Sequence, residues 1–497
     1  MGIIARQGGK STVVLFVGVI LGYISNLIVF PYCLTPDEIG IYRILLSAAT
    51  LVAAFIPLGT NGGLSKFYPF HKNKSNGHNG LLALIIKQTL VGYLIALIFS
   101  IGFSEIWQKL YGDQASYLDG FTYHMSFLML CLALINIFSE YAKSLHRIAI
   151  PFLFRQLVQK TFIICSVLIY YIGLITFNQF VFLLDFTFFI ILLLHILYLA
   201  KLNSLNLTWK NPFSSNKKHF EFQTYNLFVI ISSSSLLIIE NLDILMLGVF
   251  SGIEKTGIYS ISFFIAAVID MPKRAINQIS SPVVSEAFKN NDMKKVDSIY
   301  KKSTINTFFA GVVLFLLIWI NADNIFKIMP NGEIYSEAKN IILIIGFGRL
   351  FDISFGANGN ILILSKYYKI NSLFISVLVI SAFSLNYYLI PKYGIEGAAY
   401  ATMFSIIFYN VLKHVFVVSK FQLTPFTPSY FKLVTISMIC FILNYYSPQI
   451  EDPIIDGFIR TFSFVSLFSI LYIVLKVKTE LLDQSLEKIK SLNFFKK

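Results

Sequence analysis

The sequence predicts an all-α integral membrane protein, and three of its features support that prediction. Of its 497 residues, 56% are hydrophobic and only 13% are charged, and the mean hydropathy is +0.70. Soluble globular chains carry about 25% charged residues, so this chain has too few charges to cover a soluble surface of its size. Apolar runs long enough to span a bilayer recur from end to end. These features exclude a soluble enzyme, a disordered scaffold and a secreted disulfide-rich domain.

The apolar runs predict about fourteen transmembrane helices, because a helix crosses the hydrocarbon core with about 20 apolar residues. We expect them near 11–32, 40–60, 81–103, 119–139, 151–173, 179–200, 223–250, 257–279, 303–321, 338–360, 370–389, 396–418, 430–447 and 457–475. The first run follows two basic residues, as a signal peptide would. It is long enough to span and no small-residue cleavage site follows it, so we expect it to stay as helix 1.

The loops between these runs predict an orientation. With the N-terminus in the cytoplasm, the cytoplasmic segments carry 25 Lys and Arg residues and the opposite segments carry four. Basic residues concentrate in cytoplasmic loops of membrane proteins, so both termini are expected in the cytoplasm of a multi-pass protein. The net charge of +14 then reflects contact with anionic headgroups rather than with nucleic acid. The tail 476–497 is expected to be a basic cytoplasmic segment.

A repeated tripeptide predicts two related halves. Gly40-Ile41-Tyr42 opens helix 2 and Gly257-Ile258-Tyr259 opens helix 8, at an offset of 217 residues and each after an acidic external loop. An offset of six helices preserves orientation, so the symmetry axis would lie along the membrane normal. We therefore expect two pseudo-symmetric six-helix lobes, at 1–200 and 223–418, joined by a cytoplasmic loop at 201–222. Two C-terminal helices follow at 430–475.

Some ionisable side chains lie inside the apolar runs, where charge is costly and usually marks a polar path. Those near helix ends can extend to the headgroups, and we expect structural roles for them: Arg155, Lys339, Lys413, Lys432 and Arg460. Lys87 and Lys160 lie deeper and have no acid at helical spacing, so we expect them to face an aqueous cavity. Arg43 enters from the external end of helix 2.

The second predicted lobe carries its charges in pairs. Asp270 and Arg274 are four residues apart, and Arg349 and Asp352 are three apart, spacings that permit intrahelical ion pairs. Such pairs could neutralise each other and fix the packing, or their basic members could line the cavity. We predict a substrate cavity lined by basic residues: Arg43, Lys87, Lys160, Lys273, Arg274 and Arg349. We predict coupling or lobe pairing for the acidic residues: Asp185, Glu240, Asp243, Asp270 and Asp352.

The sequence gives no support for catalysis or metal binding. The four cysteines have no spacing typical of a metal site, and no catalytic pair of carboxylates or Cys/His arrangement occurs at one membrane face. We therefore expect no catalytic residue, no metal and no cofactor. Helix 1 contains no Asp or Glu, and the deep charges of the first lobe are mainly basic, which favours an anionic substrate.

Several segments resemble a known family across nearly the whole chain. These are 2–8 (GIIARQG), 34–43 (LTPDEIGIYR), 67–69 (FYP), 243–248 (DILMLG), 257–260 (GIYS) and 389–399 (LIPKYGIEGAA). Their order and spacing resemble Wzx-like polysaccharide or lipid-linked oligosaccharide flippases of the multidrug/oligosaccharidyl-lipid/polysaccharide exporter superfamily. The resemblance implies twelve core helices in two lobes, usually with two more at the C-terminus.

The resemblance also implies a substrate. Flippases of this kind move an undecaprenyl-pyrophosphate-linked oligosaccharide, such as an O-antigen, capsule or exopolysaccharide repeat unit, from the cytoplasmic to the periplasmic leaflet of the bacterial inner membrane. Members of the family use a cationic cavity, a role that Arg43, Lys87 and Lys160 match by residue type and depth rather than by motif. The implied partners are the lipid-linked oligosaccharide, membrane lipids, a polysaccharide polymerase and glycosyltransferases.

Two other functions remain open from the sequence. The first is a cation-coupled multidrug exporter of the same superfamily, against which the acid-free helix 1 argues. The second is a membrane polysaccharide polymerase, an enzyme that usually carries a large periplasmic loop. All the predicted external loops here are short.

Overall fold

The regular secondary structure is entirely helical in the residues that the computed structural model describes. These are 14–15, 17–71, 80–102, 109, 111–112, 120–205, 207–208, 212–213 and 215–477. The first helices are α1 (Val17–Cys33), α2 (Pro36–Phe55), α3 (Thr60–His71), α4 (Leu81–Gly102), α5 (Thr122–Ser144), α6 (Ala149–Tyr171), α7 (Phe177–Lys201), α8 (Asn216–Phe250) and α9 (Ile253–Ala267). The others are α10 (Met271–Lys289), α11 (Met293–Ile320), α12 (Ala322–Ile328), α13 (Gly332–Ser336), α14 (Lys339–Ile353), α15 (Asn358–Leu364), α16 (Tyr368–Phe421), α17 (Pro428–Tyr445) and α18 (Pro453–Val474).

These helices confirm a multi-pass membrane protein, since every predicted span overlaps at least one of them. Among the described residues, eight helices are long and apolar enough to cross a membrane, or nine if the bent pair α14–α15 is one span. The count of fourteen stays a prediction. The basic tail at 478–497 and the start of helix 1 at 11–13 lie outside the described residues.

The predicted turn between helices 11 and 12 is present within α16, which joins two helices at Gly394 (φ 55°), three residues after Pro391. The chain reverses there, since a Cβ added to Gly397 would overlap the carbonyl oxygen of Leu389. Two other predicted elements differ in the structure, each at a proline or glycine. The predicted helix 8 ends early: α9 gives way to a 3-10 turn at Val268–Asp270, and Pro272 then opens α10. The predicted helix 10 is bent by 51° between α14 and α15. Proline lacks an N–H and glycine tolerates positive φ, so these residues permit breaks inside apolar runs.

The chain forms two compact units, Met1–Ser260 and Ile261–Lys497. The core of the first unit includes Ile85, Ile135 and Tyr141, all essentially inaccessible to solvent. The core of the second unit centres on Ile353 and on aromatic residues of α11, α17 and α18. The helix α8 packs against α2 within the first unit, although the repeat assigns α8 to the second lobe. The lobe boundaries inferred from the repeat therefore stay a prediction.

The two Gly-Ile-Tyr copies contact each other reciprocally. The Cα of Gly40 faces the carbonyl of Ile253 so closely that an added Cβ would overlap it, and Gly257 faces the carbonyl of Pro36 in the same way. The two residues whose carbonyls are contacted, Pro36 and Ile253, are also 217 residues apart, the same offset that separates the two motifs. The helix starts of α2 and α9 are thus related by a local two-fold, with glycine required on both sides.

This contact predicts that even one methyl group is too large at either position. Gly40→Ala and Gly257→Ala should each cost about 1–3 kcal/mol, because the facing atoms are backbone and cannot rotate away. The measurement is the thermal unfolding midpoint of the purified chain in detergent. Gly359→Ala is the matched control, since nothing lies within 4 Å of its added Cβ. Equal midpoints for all three variants would contradict the close contact.

Candidate functional site

Two ion pairs connect the broken helices of the second unit. Arg349 near the end of α14 binds Asp270 of the 3-10 turn, with Nη1 and Oδ2 2.8 Å apart. Lys273 on the first turn of α10 binds Asp352 of α14. All four side chains are largely buried. The two pairs therefore cross between the same two elements and hold them together.

This arrangement corrects the pairing that the spacing permitted. Asp270 does not pair with Arg274 in its own helix, and Asp352 does not pair with Arg349; each acid takes a cation from the other element. The 3-10 turn brings Asp270 towards α14, and Lys273 follows it directly, in the first turn of α10. Arg274 is exposed, so Lys273 contributes the cation to this cluster.

A third cation, Lys413 of α16, completes the cluster. Its Nζ donates to Oδ1 of Asn358 (3.3 Å) and lies 3.9 Å from the centre of the Tyr409 ring. The side chain of Asn410, one turn earlier, accepts a hydrogen bond from Nδ2 of Asn358 at 3.5 Å. The expectation that Lys413 reaches the headgroups is wrong, because the residue is only 3% exposed. We call Asp270, Lys273, Arg349, Asp352 and Lys413 the charged cluster.

The charged cluster has one more cation than acids. It surrounds the break between α14 and α15, where Gly356 adopts φ 47° against Thr304. Discontinuous helices of this kind commonly form substrate and ion sites in transporters, because their unwound ends expose backbone polar groups. Four of the five members were candidate site residues in the sequence, and Lys413 was not among them. The nearest sequence signal was Asn410, a second buried polar residue one turn away on the same helix.

In the first unit, two of the predicted cations contact α1. Arg43 donates to Oδ1 of Asn26, within a π-helical segment at Ile24–Val29, and its guanidinium lies 5.6 Å from the Tyr42 ring centre. Lys160 donates to the carbonyl oxygen of Gly18 at 2.6 Å. Lys160 therefore has a hydrogen-bond partner that the sequence did not reveal, although that partner is neutral.

The third predicted cation of the first unit, Lys87, does not join them. It is exposed on α4, in line with Val91, Leu94 and Ile98, of which Ile98 is 72% exposed. Residues three and four apart share a helix face, so Lys87 belongs to an apolar outer stripe. An exposed face of this kind borders either lipid or a water-filled cavity, so the cavity role of Lys87 stays a prediction.

The predicted acids of the first unit have local partners. Asp185 of α7 binds Nδ1 of His124 on α5 at 2.5 Å, with the carboxylate largely buried. Asp243 of α8 accepts a hydrogen bond from the Tyr259 hydroxyl at 2.8 Å, and both residues are buried. This bond ties α8 to the second Gly-Ile-Tyr motif. Glu240 is exposed on α8.

The crossed pairs predict a particular stability pattern. Asp352→Ala should destabilise the chain by about 3–5 kcal/mol, because it leaves Lys273 buried without its acid. Adding Lys273→Met to that variant should restore a large part of the loss, since it removes the uncompensated charge.

The check is a double-mutant cycle on thermal unfolding in detergent. The exposed pair Lys301–Asp297, 2.6 Å apart within α11, is the matched control, for which Asp297→Ala should cost no more than about 1 kcal/mol. Additive effects of Asp352→Ala and Lys273→Met would contradict the pairing.

Family models match two parts of the chain. A model described as polysaccharide biosynthesis protein matches residues 9–288, and a model described as MatE matches residues 229–390. The first match covers more than half of the chain.

Two curated relatives are similar over part of their length. The capsular polysaccharide biosynthesis protein CapF of Staphylococcus aureus is 24% identical over 226 residues, which are 44% of this chain and 56% of that protein. The probable low-salt glycan biosynthesis flippase Agl15 of Haloferax volcanii is 22% identical over 239 residues, 48% of this chain and 50% of that protein. The chain thus spans about half the length of the curated relatives it matches.

Solved structures share the fold. The lipid II flippase MurJ, in an inward closed conformation, matches with a TM-score of 0.72 at 15% identity, over 94% of this chain and 99% of that one. An inward-facing multidrug resistance MATE family transporter of the MOP superfamily matches with a TM-score of 0.60 at 11% identity, over 83% and 98%. The resemblance read from the sequence motifs is confirmed in family and fold.

Proposed function

The chain belongs to the polysaccharide biosynthesis protein family, and from that premise we propose that it is a flippase for a lipid-linked oligosaccharide. The substrate is an undecaprenyl-pyrophosphate-linked repeat unit, moved from the cytoplasmic to the periplasmic leaflet of a bacterial inner membrane. The similarity to a named glycan flippase and to transporter folds supports a transporter rather than an enzyme. The observation that carries the proposal is the charged cluster with its surplus cation.

The charged cluster suits a pyrophosphate because it can exchange partners. A phosphate loses its hydration in hydrocarbon, and only fixed cations and donors can replace that hydration. Lys273 and Arg349 already hold carboxylates at ion-pair distance, so an incoming phosphate competes with Asp352 and Asp270 for them. Lys413 supplies positive charge beyond these two pairs.

The breaks in the helices support alternating access. The 3-10 turn before α10 and the 51° bend between α14 and α15 are places where a predicted span is already interrupted, so its two segments can change their angle. The starts of α2 and α9, which the predicted topology puts on the external side, are closed on each other at Gly40 and Gly257. We propose that this contact opens when the site faces the periplasm. Both termini are proposed to lie in the cytoplasm, and a polymerase and glycosyltransferases of the same pathway to act as partners.

A multidrug exporter is the second candidate, because the MatE model matches residues 229–390. The chemistry of α1 argues against it. The described part of α1 holds no acid to bind a cation, and the neighbouring cations Arg43 and Lys160 would repel a cationic drug. Expression should therefore give no resistance to cationic dyes, whereas a multidrug exporter would lower their accumulation.

Deletion of the gene tests the proposed function directly. The strain should lose the corresponding surface glycan and accumulate the lipid-linked repeat unit on the cytoplasmic side, because the headgroup cannot cross unaided. Thin-layer analysis of extracted carrier lipids and surface glycan staining make the measurement. An intact surface glycan in a strain without a paralogue would overturn the proposal.

Substitution of Lys413 tests the charged cluster. Lys413→Met should lower glycan export about tenfold or more while the protein remains in the membrane, because a charged hydrogen bond contributes about 1.5–3 kcal/mol. Lys432→Met is the matched control, since Lys432 lies on α17 and donates to the carbonyl of Leu475 outside the cluster. Export is measured against immunoblotted protein. Equal export by the two variants would remove Lys413 from the site.

A further inference from the structure

A polar pocket of about 140 Å³ lies within the second unit, away from the charged cluster. It is formed by the end of α11, the starts of α12 and α14, the end of α17 and the loop before α18. Trp319, Asp323, Lys339, Asn444, Gln449 and Arg460 are among its lining residues. The predicted topology puts all these ends on the external side. A volume of this size holds roughly four or five waters, or one sugar ring in their place.

One wall of the pocket is fixed by a buried network. The Nε of Arg460 donates to Asp456 at 2.6 Å, and Nη2 donates to the carbonyls of Ser447 and Pro448. Asp456 also accepts from Asn324 at 2.7 Å and from the amide of Ile450 at 2.9 Å. The loop 447–450 is therefore held before any ligand arrives, which lowers the entropy cost of binding.

The opposite wall has open hydrogen-bonding capacity. Asp323 binds Lys339 at 2.6 Å, but its side chain is 42% exposed and its carboxylate can accept further bonds. Oδ1 of Asn444 is enclosed and has no hydrogen-bond donor among the described residues. An enclosed acceptor without a donor is costly, so a turn of the Asn444 amide that lets a ligand hydroxyl reach this oxygen is favoured.

The charges of the pocket are balanced, which decides the ligand class. Each lining cation has an acid at 2.6 Å: Lys339 has Asp323, and Arg460 has Asp456. The pocket therefore attracts an anion weakly. The lining groups that remain for a ligand are the Asp323 carboxylate, the side-chain amides of Asn444 and Gln449, and the indole of Trp319. The centre of that indole lies 5.4 Å from the Lys339 ammonium. Carboxylate and amide oxygens accept bonds from hydroxyls, and an aromatic face packs against the apolar C–H face of a ring.

We propose that this pocket binds one neutral sugar residue of a glycan on the external side of the membrane. The inference rests on the proposed function for its biological role, as a site that holds the oligosaccharide after its transfer. Binding of a free sugar, however, requires no transport.

The chain contains three tryptophans, which permits a direct measurement. In the full chain with Trp107→Phe and Trp209→Phe, Trp319 is the single fluorophore. Titration of this protein in detergent with glucose and with N-acetylglucosamine should give a saturable change in Trp319 emission. Asn444→Leu and Asp323→Asn should each weaken the apparent affinity about tenfold or more, because each removes an acceptor for a hydroxyl. Glu333→Gln, on α13 outside the pocket, is the matched control and should bind as the parent does.

Saturation-transfer NMR with the same sugars on the otherwise unmodified chain repeats the test without tryptophan substitutions, and Asn444→Leu should abolish the signal. No saturable response with either sugar, or unchanged binding by Asn444→Leu, overturns the proposal. An equal response to inorganic phosphate overturns it too, because the pocket would then be an anion site. If the chain binds sugar but deletion of its gene leaves the surface glycan intact, the flippase function is refuted and the sugar site stands.

Discussion

The second unit depends on the crossed ion pairs that join α14 to the 3-10 turn and the first turn of α10. Arg349–Asp270 and Lys273–Asp352 join two elements that are each broken nearby, one at the 3-10 turn and one at Gly356. Taking charges out of water is expensive, and a buried pair repays that cost only with good geometry and further hydrogen bonds. Beside these pairs, Lys413 and Asn410 both hydrogen-bond the side chain of Asn358. The pairs therefore specify how the broken ends meet, in addition to neutralising one another.

The broken helices and the buried charges require each other. A helix that unwinds inside a bilayer must find partners for its backbone groups within the protein, since lipid offers none. At the break after α14, the amide of Gly356 donates to the carbonyl of Ile353 at 2.9 Å, and Lys413 binds the side chain of Asn358, the first residue of α15. The charged cluster, through Lys413, thus stabilises the break between α14 and α15. A straight apolar helix here would need neither Lys413 nor Asn358.

The sequence predicted the helices well and the contacts between them poorly, for a physical reason. The length of an apolar run is a local property, so the positions of the spans followed from composition alone. The pairing of Asp270 with Arg349 depends on how two helices are rotated against each other, which spacing within either helix does not report.

Lys413 shows the same limit, because its distance from a helix end along the chain did not reveal the neighbours that bury it. The cavity role of Lys87 stays a prediction, because a charge deep in an apolar run can face lipid as well as a cavity. The coupling or lobe-pairing role of Asp243 stays a prediction, and its hydrogen-bond partner Tyr259 belongs to a motif that the sequence marked only as a repeat.

The cations of the two units are held by different chemistry, and this sets how each responds to an anionic substrate. Among the described residues, Arg43 and Lys160 donate to an amide oxygen and a carbonyl oxygen. A neutral partner satisfies a cation's hydrogens without cancelling its charge, so these two residues attract an anion in their present positions. Lys273 and Arg349 are bound to carboxylates, and a phosphate must displace those acids to reach them. On the proposed function, binding in the second unit would therefore be an exchange that loosens these pairs. An anion in the first unit would change no ion pair, whereas an anion in the second would release the constraint that fixes the broken helices. If the proposed substrate binds there, the charged cluster is where its binding would be converted into a change of helix packing.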